Sequence, residues 1–332
     1  MDRAAAEAAY GPAAREALGA FALEPERVEL VALSENATFR VDARDGSSYV
    51  LRLHRPWYHT LDELVSERIW IRALAASGIS VPTPLLTRDG SEYTTVAIHA
   101  TGERRHAGLT RWIDGTMLAD LLRDGDAATI EGYFEQLGAL SATLHDQAAA
   151  WQPPGHFPRH AFDAAGLMGE APFWGRFWEH PTLSAADRTL LLETRDRIRA
   201  ALERYGRSAP TFSMIHADLH PSNVLVDRGR LTIIDFDDAG FGWHQYDIAV
   251  ALFHYQLASR DYAAVERAFL RGYRTVRAFA DTAAALIPMF LLIRGMVTIG
   301  WLYQRPEIDS AQYLARLVEF VRARAREFAA PC

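Results

Sequence analysis

The stretch His216-Ala217-Asp218-Leu219-His220-Pro221-Ser222-Asn223, followed by Ile234-Asp235-Phe236-Asp237, decides how this chain is read. It sets a histidine, an aspartate two residues on and an asparagine five after that in one polar loop. The apolar run Val224-Leu225-Val226 follows, then a turn at Arg228-Gly229, then Leu231-Thr232-Ile233-Ile234. Two short apolar runs flanking a glycine turn read as a β-hairpin. Closing that hairpin returns Asp235 to the end where Asn223 begins, so an amide oxygen and a carboxylate can share one hard cation. Magnesium suits such a pair, because it takes few protein oxygens and keeps positions for phosphate and water. Asp218 is then free to accept a proton from an attacking hydroxyl, the arrangement that phosphoryl transfer needs. One geometric expectation follows. A two-residue turn at Arg228-Gly229 sets Asn223 opposite Ile234 and leaves Asp235 on the other face, since side chains alternate along a strand. A three-residue loop, or a bulge or bend after Ile234, is needed to restore a common face.

The protein-kinase pattern H-R-D-L-x-x-x-N is matched at His216, Asp218, Leu219 and Asn223, and the D-F-G position reads Asp235-Phe236-Asp237. Ala217 stands in place of the arginine and Asp237 in place of the glycine. No A-P-E segment follows; the chain runs Asp238-Ala239-Gly240-Phe241-Gly242 into a helix beginning near Trp243. With these departures the chain resembles the aminoglycoside phosphotransferase and choline kinase superfamily, whose loop reads H-G-D-x-H-x-x-N with I-D-F-D-D downstream. Tyr246-Asp247-Ile248-Ala249 is similar to that family's Y-D-L-A helix start. Val50-Leu51-Arg52-Leu53-His54-Arg55-Pro56-Trp57 is similar to the homoserine kinase type II and stress-response kinase branch. The resemblance implies an α+β, bilobal protein-kinase-like fold, with a small β-rich N-lobe and a larger, mainly helical C-lobe. The expected boundaries are 1–110 for the N-lobe, 111–115 for a hinge and 116–332 for the C-lobe.

The chain contains no lysine, so every cation in its Lys+Arg count is arginine. That excludes a Walker P-loop, which needs G-K-[ST]. The strand-three lysine of kinases is then replaced by Arg52, and Glu67 stands where the resemblance puts its pairing glutamate. An arginine neutralises phosphate oxygens as a lysine does, though its planar fork demands a different approach. Ser34 and Asn36 lie in the turn expected to cover the nucleotide, where small polar residues offer backbone N–H groups to phosphate. Arg111 to Gly115 looks like the hinge, which places Arg111 and Ile113 beside adenine. The implied partners are ATP, magnesium and a small-molecule acceptor. Asp218 is the expected base, Asn223 and Asp235 the metal ligands, and Arg52 with Glu67 the phosphate clamp.

Other readings compete with this one. Histidines with carboxylates are common metal ligands, so His216, Asp218 and His220 are candidates for a hydrolase cluster, but that leaves Asn223 and Asp235 unexplained. His216 and Asp247 read as supports for the loop, and His145 as a packed structural histidine. Protein serine/threonine is the rival acceptor, because the stress-response branch uses it; a nucleotide hydrolase is the remaining enzyme alternative. A pseudokinase is disfavoured by the presence of Asp218, Asn223 and Asp235.

Composition agrees. The 332 residues suit two lobes, and a formal charge of −7 argues against nucleic acid as a partner. The only cysteine is Cys332, so no intrachain disulfide forms. The alanine-rich N-terminus carries Arg3 and Glu7 and reads as no signal peptide. The apolar run Ala283 to Ile293 contains Pro288 and reads as too short to span a bilayer. A cytoplasmic enzyme without membrane contact is expected.

Punctuation gives the remaining order. A helix interrupted at Gly11-Pro12 is followed by strands at Val28 to Leu33, at Thr38 to Val41 and around Arg52, then by the Glu67 helix. Val81-Pro82-Thr83-Pro84 ends that helix, and strands near Leu85 and from Thr94 to His99 complete a small sheet. Leu118, Leu121 and Leu122 begin the helical part, and a second helix through Leu137 and Leu144 ends at His145. Trp151 to Pro181 lacks periodicity, and its Trp174 and Trp178 are candidates to box a cationic substrate or to pack the insert. Helices are expected from Ser184, from near Trp243, and then through Asp261 to Phe279, Thr282 to Gln304 and Ser310 to Phe328.

Overall fold

Alternation of buried and half-buried residues runs without a break along Ala37–Ala43, which marks a strand covered on one face. The computed structural model describes residues 3–34, 36–258, 261–308 and 310–328. Glu35 of the expected nucleotide-covering turn and the lone Cys332 lie outside the described residues. By compactness the chain divides into two units: Met1–Gly115 with Gln152–Pro158 and Leu225–Asp237, and Thr116–Trp151 with Arg159–Val224 and Asp238–Cys332.

The first unit begins with α1 (Arg3–Leu18), β1 (Pro25–Leu33), β2 (Ala37–Ala43), β3 (Ser48–Leu53) and α2 (Leu61–Ala76). It continues through β4 (Pro84–Leu85), β5 (Thr94–Ala97) and β6 (Arg104–Arg111). The sheet order is β1-β2-β3-β6-β4, with β5 on β6, and each pair is antiparallel. Asp45-Gly46 makes the turn between β2 and β3, with Gly46 at φ +82° and Ser47 N donating to Asp45 Oδ1 at 2.9 Å. The expected break at Gly11-Pro12 does not occur; Pro12 lies inside α1. A mid-helix proline costs about 3 kcal/mol. Burying Tyr10, Ala13, Ala14, Ala17 and Leu18 against the sheet outweighs that, at roughly 2 kcal/mol for each large apolar side chain. A reciprocal capping box between Thr60 and Glu63 starts α2 and fixes the phase of Glu67 one turn later. Strand β6 was not expected. Its arginines and Gly108 hide the pattern, yet Gly108 is needed there: a Cβ would stand 2.2 Å from Arg68 Nη2 and 2.5 Å from Tyr93 Cε1.

The second unit contains β7 (Thr116–Met117), α3 (Leu118–Arg123), α4 (Ala127–Ala150), β8 (Ala161–Phe162), α5 (Ala164–Met168), α6 (Ala185–Tyr205) and β9 (Phe212–Ile215). Asp126, Asp163 and Ser184 cap α4, α5 and α6 through their side-chain oxygens. Helix α4 runs past His145 to Ala150, because a packed histidine has no power to stop a helix. The hairpin β10 (Val224–Asp227) and β11 (Arg230–Ile233) turns at Arg228, φ +48°, and Gly229, φ +79°. Positive φ at both central residues is the type I′ turn that suits a two-residue hairpin.

The chain then forms β12 (Gly240–Trp243), α7 (His244–Ala258), α8 (Tyr262–Val276), α9 (Asp281–Ala284), α10 (Ile287–Tyr303) and α11 (Ala311–Glu327). Strand β12, unforeseen before the expected helix, sits between β8 and β9. Helices α4 and α8 meet at two glycines: a Cβ on Gly138 would lie 2.0 Å from Phe269 O, and one on Gly272 1.8 Å from Glu135 O. The helix expected over Thr282 to Gln304 appears as Asp281–Tyr303, 23 residues long and apolar enough by length and composition to cross a membrane, and the apolar run Ala283 to Ile293 is only part of it. Pro288 lies in the first turn of α10, where its missing N–H costs no hydrogen bond. That helix is the core of the second unit, packed on α7 and α11.

Candidate active site

In the second unit, β9 delivers the chain into His216 and the polar loop. Ala217 takes φ +63° there, the left-handed region that costs a residue with a Cβ about 1–2 kcal/mol. What holds it is Asp247, from the first turn of α7. Asp247 Oδ1 accepts from Ala217 N at 2.7 Å, and Oδ2 accepts from His216 N at 3.3 Å. Oδ2 also lies 3.1 Å from His145 Nε2, while His145 Nδ1 lies 2.8 Å from the Tyr273 hydroxyl. His145 stacks on His244 at 4.3 Å, and His244 Nε2 lies 2.8 Å from Ser213 Oγ. Burial raises the Asp247 carboxyl to about 6 and pushes His145 down to about 3. At neutral pH Asp247 is thus a carboxylate and His145 a neutral ring that donates to it from Nε2. His216, wholly buried, accepts from Asp218 N at Nδ1 over 3.3 Å. These are the supporting roles expected for His216, His145 and Asp247.

The loop presents Asp218 and Asn223 together. Asn223 Nδ2 donates to the Asp218 carbonyl and to Asp218 Oδ2, both at 2.9 Å. His220 Nδ1 accepts from Ser222 N, and its Nε2 stands 3.2 Å from Asp218 Oδ2. The other carboxylate oxygen, Oδ1, accepts from Arg294 Nη2 at 2.8 Å. Burial would push the Asp218 carboxyl up, but His220, Arg294 and His216 outweigh it and hold it well below the usual carboxylate range. Asn223 has spent its nitrogen on Asp218. Its oxygen has no hydrogen-bond partner among the described residues.

Arg294 was not foreseen. It is the one charged residue in α10, and that isolation in an apolar helix was the available signal, because a buried charge is rare unless paired. Its guanidinium lies 5.2 Å above the Trp174 ring, with Nη1 at 3.4 Å from the Tyr246 hydroxyl. Trp178 faces Arg195 at 4.7 Å. The substrate box considered for Trp174 and Trp178 is thereby corrected. Both rings are buried, and the cations over them belong to the protein.

In the first unit, the hairpin's second strand runs through Ile233 toward Asp235. Asp235 adopts φ +63°, which supplies the bend expected after Ile234. Its Oδ1 accepts from Arg52 Nη1 at 2.8 Å. Burial disfavours the charged Arg52, but the carboxylates of Asp235, Asp237 and Glu67 more than compensate and raise its pKa further. Glu67 is buried and joins Arg52 through charge, whereas Asp235 is the direct hydrogen-bond partner. Asn36 Oδ1 accepts from Arg55 N at 2.8 Å, and its Nδ2 donates to Asp237 Oδ2 at 3.3 Å. Ser34 is exposed beside it, its N–H donating to Asn36 O at 3.3 Å. Arg111, at the end of β6, lies over Tyr49 at 5.5 Å, and the half-buried Ile113 follows in the unstructured link to β7. The structure thus brings Arg52, Glu67 and Asp235 together in one unit, and Asp218 and Asn223 together in the other.

Residues 28–279 match the model of the phosphotransferase enzyme family APH. The chain belongs to this family. A microcompartment-associated aminopropanol kinase is 28% identical to it, with a TM-score of 0.77 and 94% of each chain covered. An amicoumacin kinase solved with AMP-PNP and Ca2+ is 24% identical, has a TM-score of 0.78 and covers 97% of this chain and 96% of its own. The homoserine kinase of Azorhizobium caulinodans is 30% identical over 267 residues, which span 74% of this chain and 73% of that one. The family member described here is therefore a phosphotransferase acting on small-molecule hydroxyl groups. Its fold is the α+β kinase-like fold that the loop motif implied, sheet-containing at the N-terminal end and helical at the C-terminal end.

Proposed function

We propose that this enzyme moves the γ-phosphoryl group of ATP to a small-molecule hydroxyl with Asp218 as its catalytic base. The observation that carries the reading is the Asp218 carboxylate, ionised and fixed by Asn223, His220 and Arg294 in a loop anchored on Asp247. The acceptor oxygen bonds to the γ-phosphorus as the bond to the β–γ bridging oxygen breaks, ADP leaves, and the hydroxyl proton passes to Asp218. A carboxylate this acidic is a weak base, so it orients the hydroxyl first and takes the proton late, as a loose transition state allows. Arg52, with Glu67 behind it, holds nucleotide phosphates. Ser34, Asn36, Arg111 and Ile113 line the nucleotide's path.

Asn223 Oδ1 in one unit and the second oxygen of Asp235 in the other are each a hard donor without a hydrogen-bond partner among the described residues, the chemistry expected of magnesium ligands. Magnesium bound there would neutralise charge on the phosphate oxygens. A cytoplasmic enzyme, divided at the expected boundaries of 1–110, 111–115 and 116–332, belongs to this proposal.

Labelled ATP incubated with magnesium, a panel of amino alcohols, hydroxy acids and aminoglycosides, and a generic protein substrate tests this reading. Label is expected on small molecules. Transfer to protein alone, or to nothing, overturns it.

A further inference from the structure

The carboxylate proposed as the base is covered on one oxygen by a guanidinium that the reaction itself does not call for. Arg294 is anchored from below by the Trp174 ring and from the side by Tyr246, so its plane is fixed. Of its five N–H donors, Nη2 spends one on Asp218 and Nη1 one on Tyr246. The other donors have no partner among the described residues. Around it in the second unit also stand Asp238, whose charge acts on Tyr246, and Arg316, whose charge acts on Tyr313. His254 packs against His220 at 5.6 Å and is held neutral by burial, and Tyr246 and Tyr313 are phenols that burial keeps protonated. The aromatic face of Trp174, which an ammonium group would otherwise use, is taken by Arg294 itself.

On the reading that Asp218 receives the acceptor hydroxyl, we propose that Arg294 determines specificity by holding a carboxylate of the acceptor. The preferred substrate is then a hydroxy acid or hydroxy amino acid rather than a plain amino alcohol. The planar fork matches a carboxylate with two parallel hydrogen bonds. A phosphorylated acceptor fits less well, since a dianion would be set beside both Asp218 and the transferring phosphoryl group. An ammonium group in the same place meets Arg294 head-on and gains no ring to stack on.

Matched pairs that differ only by a carboxylate test the assignment: homoserine with aminopropanol, serine with ethanolamine, and hydroxybutyrate with propanol. The wild-type enzyme should favour the carboxylate member by about tenfold or more in kcat/KM, the scale of one charge-assisted contact. Arg294→Gln should bring that ratio toward unity, and Arg294→Lys should restore part of it. If Arg294 merely holds Asp218, Arg294→Gln will slow both members alike and leave the ratio standing, which overturns the proposal. Preference of the wild-type enzyme for the amine members overturns it without recourse to any variant. Hydrolysis of MgATP, with water as acceptor, is followed in parallel. If hydrolysis continues but no carboxylate member is phosphorylated, the specificity assignment fails alone; if hydrolysis is also absent, the phosphotransfer site assignment fails with it.

Discussion

Arg294 reaches Asp218 from 76 residues downstream, its Nη2 donating to Oδ1 over 2.8 Å. Part of the charge that keeps the proposed base ionised therefore comes from the core helix α10, beside that of His220 in the loop that carries the motif.

That origin has a consequence for pH. Asp218 has its folded pKa depressed, so its ionised form and its contribution to stability are present above the unfolded value of 3.8 and are lost only as pH falls through the lower folded one. Turnover of the wild-type enzyme should show no acid limb from Asp218 down to about pH 5. In Arg294→Met burial acts with less opposition, so an acid limb should move up into the measurable range. A kcat profile in pH for the two proteins reads this directly; superimposable profiles would separate Arg294 from the base.

Asp218→Ala should lower turnover by about a hundredfold or more, the usual worth of a positioned base. Nucleotide affinity, measured by equilibrium titration with MgATP, should be nearly unchanged. Asp235→Ala should do the opposite first and abolish magnesium-dependent nucleotide binding.

Arg52→Lys should retain substantial activity, because the charge beside Asp235 persists. Arg52→Ala should raise KM for ATP and lower kcat, at a cost of about 3 kcal/mol if the contact lies in a water-poor site. Glu67→Gln should show a milder version, since Glu67 adds charge but is not the direct partner. Unaltered kinetics in Arg52→Ala would remove both residues from the site.

Much of this was legible because the chemistry is local. Asp218 and Asn223 sit five residues apart, so one loop conformation sets both, and the absence of lysine left Arg52 as the strand cation. Arg294 was not legible by spacing, because its partner is remote in sequence and α10 offers no polar periodicity around it. Strand β6 escaped for a different reason: Gly108 and the flanking arginines lower its strand character, while packing against β3 and β5 decides the matter. The continuous α1 escaped because propensity at Pro12 was read without the burial that overrides it.

The buried Asp247–His145 pair sets a prediction for stability. Asp247 is raised from 3.8 to about 6, so its charge costs stability as pH rises through that window. His145 is lowered from 6.5 to about 3, so protonation costs stability as pH falls through its own. Between about pH 4 and 6 the folded pair holds one proton on Asp247 and the unfolded pair one on His145, so the two slopes cancel. In His145→Gln only Asp247 titrates. Stability should then fall by roughly 3 kcal/mol from pH 4 to above 6, the equivalent of its raised pKa. Urea midpoints at three pH values distinguish the proteins, and a flat variant would contradict the pairing.

Gly272→Ala tests the helix crossing. Alanine improves helix propensity by about 1 kcal/mol over glycine. Its Cβ would meet the Glu135 carbonyl at 1.8 Å, and a backbone atom cannot swing aside. Overpacking of this kind costs about 1–3 kcal/mol or more, so the clash wins. A lower melting temperature is expected; a higher one would mean that α4 and α8 do not approach so closely.

The ion pair between Arg52 and Asp235 has one more implication, for how protons can govern this enzyme. A lysine at that position would be a tunable amine, able to lose its proton when buried and so to switch nucleotide handling off in alkali. The guanidinium of Arg52 has no such freedom, and its carboxylate neighbours bind its proton more firmly still. The charge proposed to hold the nucleotide phosphates is therefore permanent across the whole range in which the protein is folded. Any alkaline decline in turnover must arise elsewhere, and alkalinity gives the cell no lever on this step.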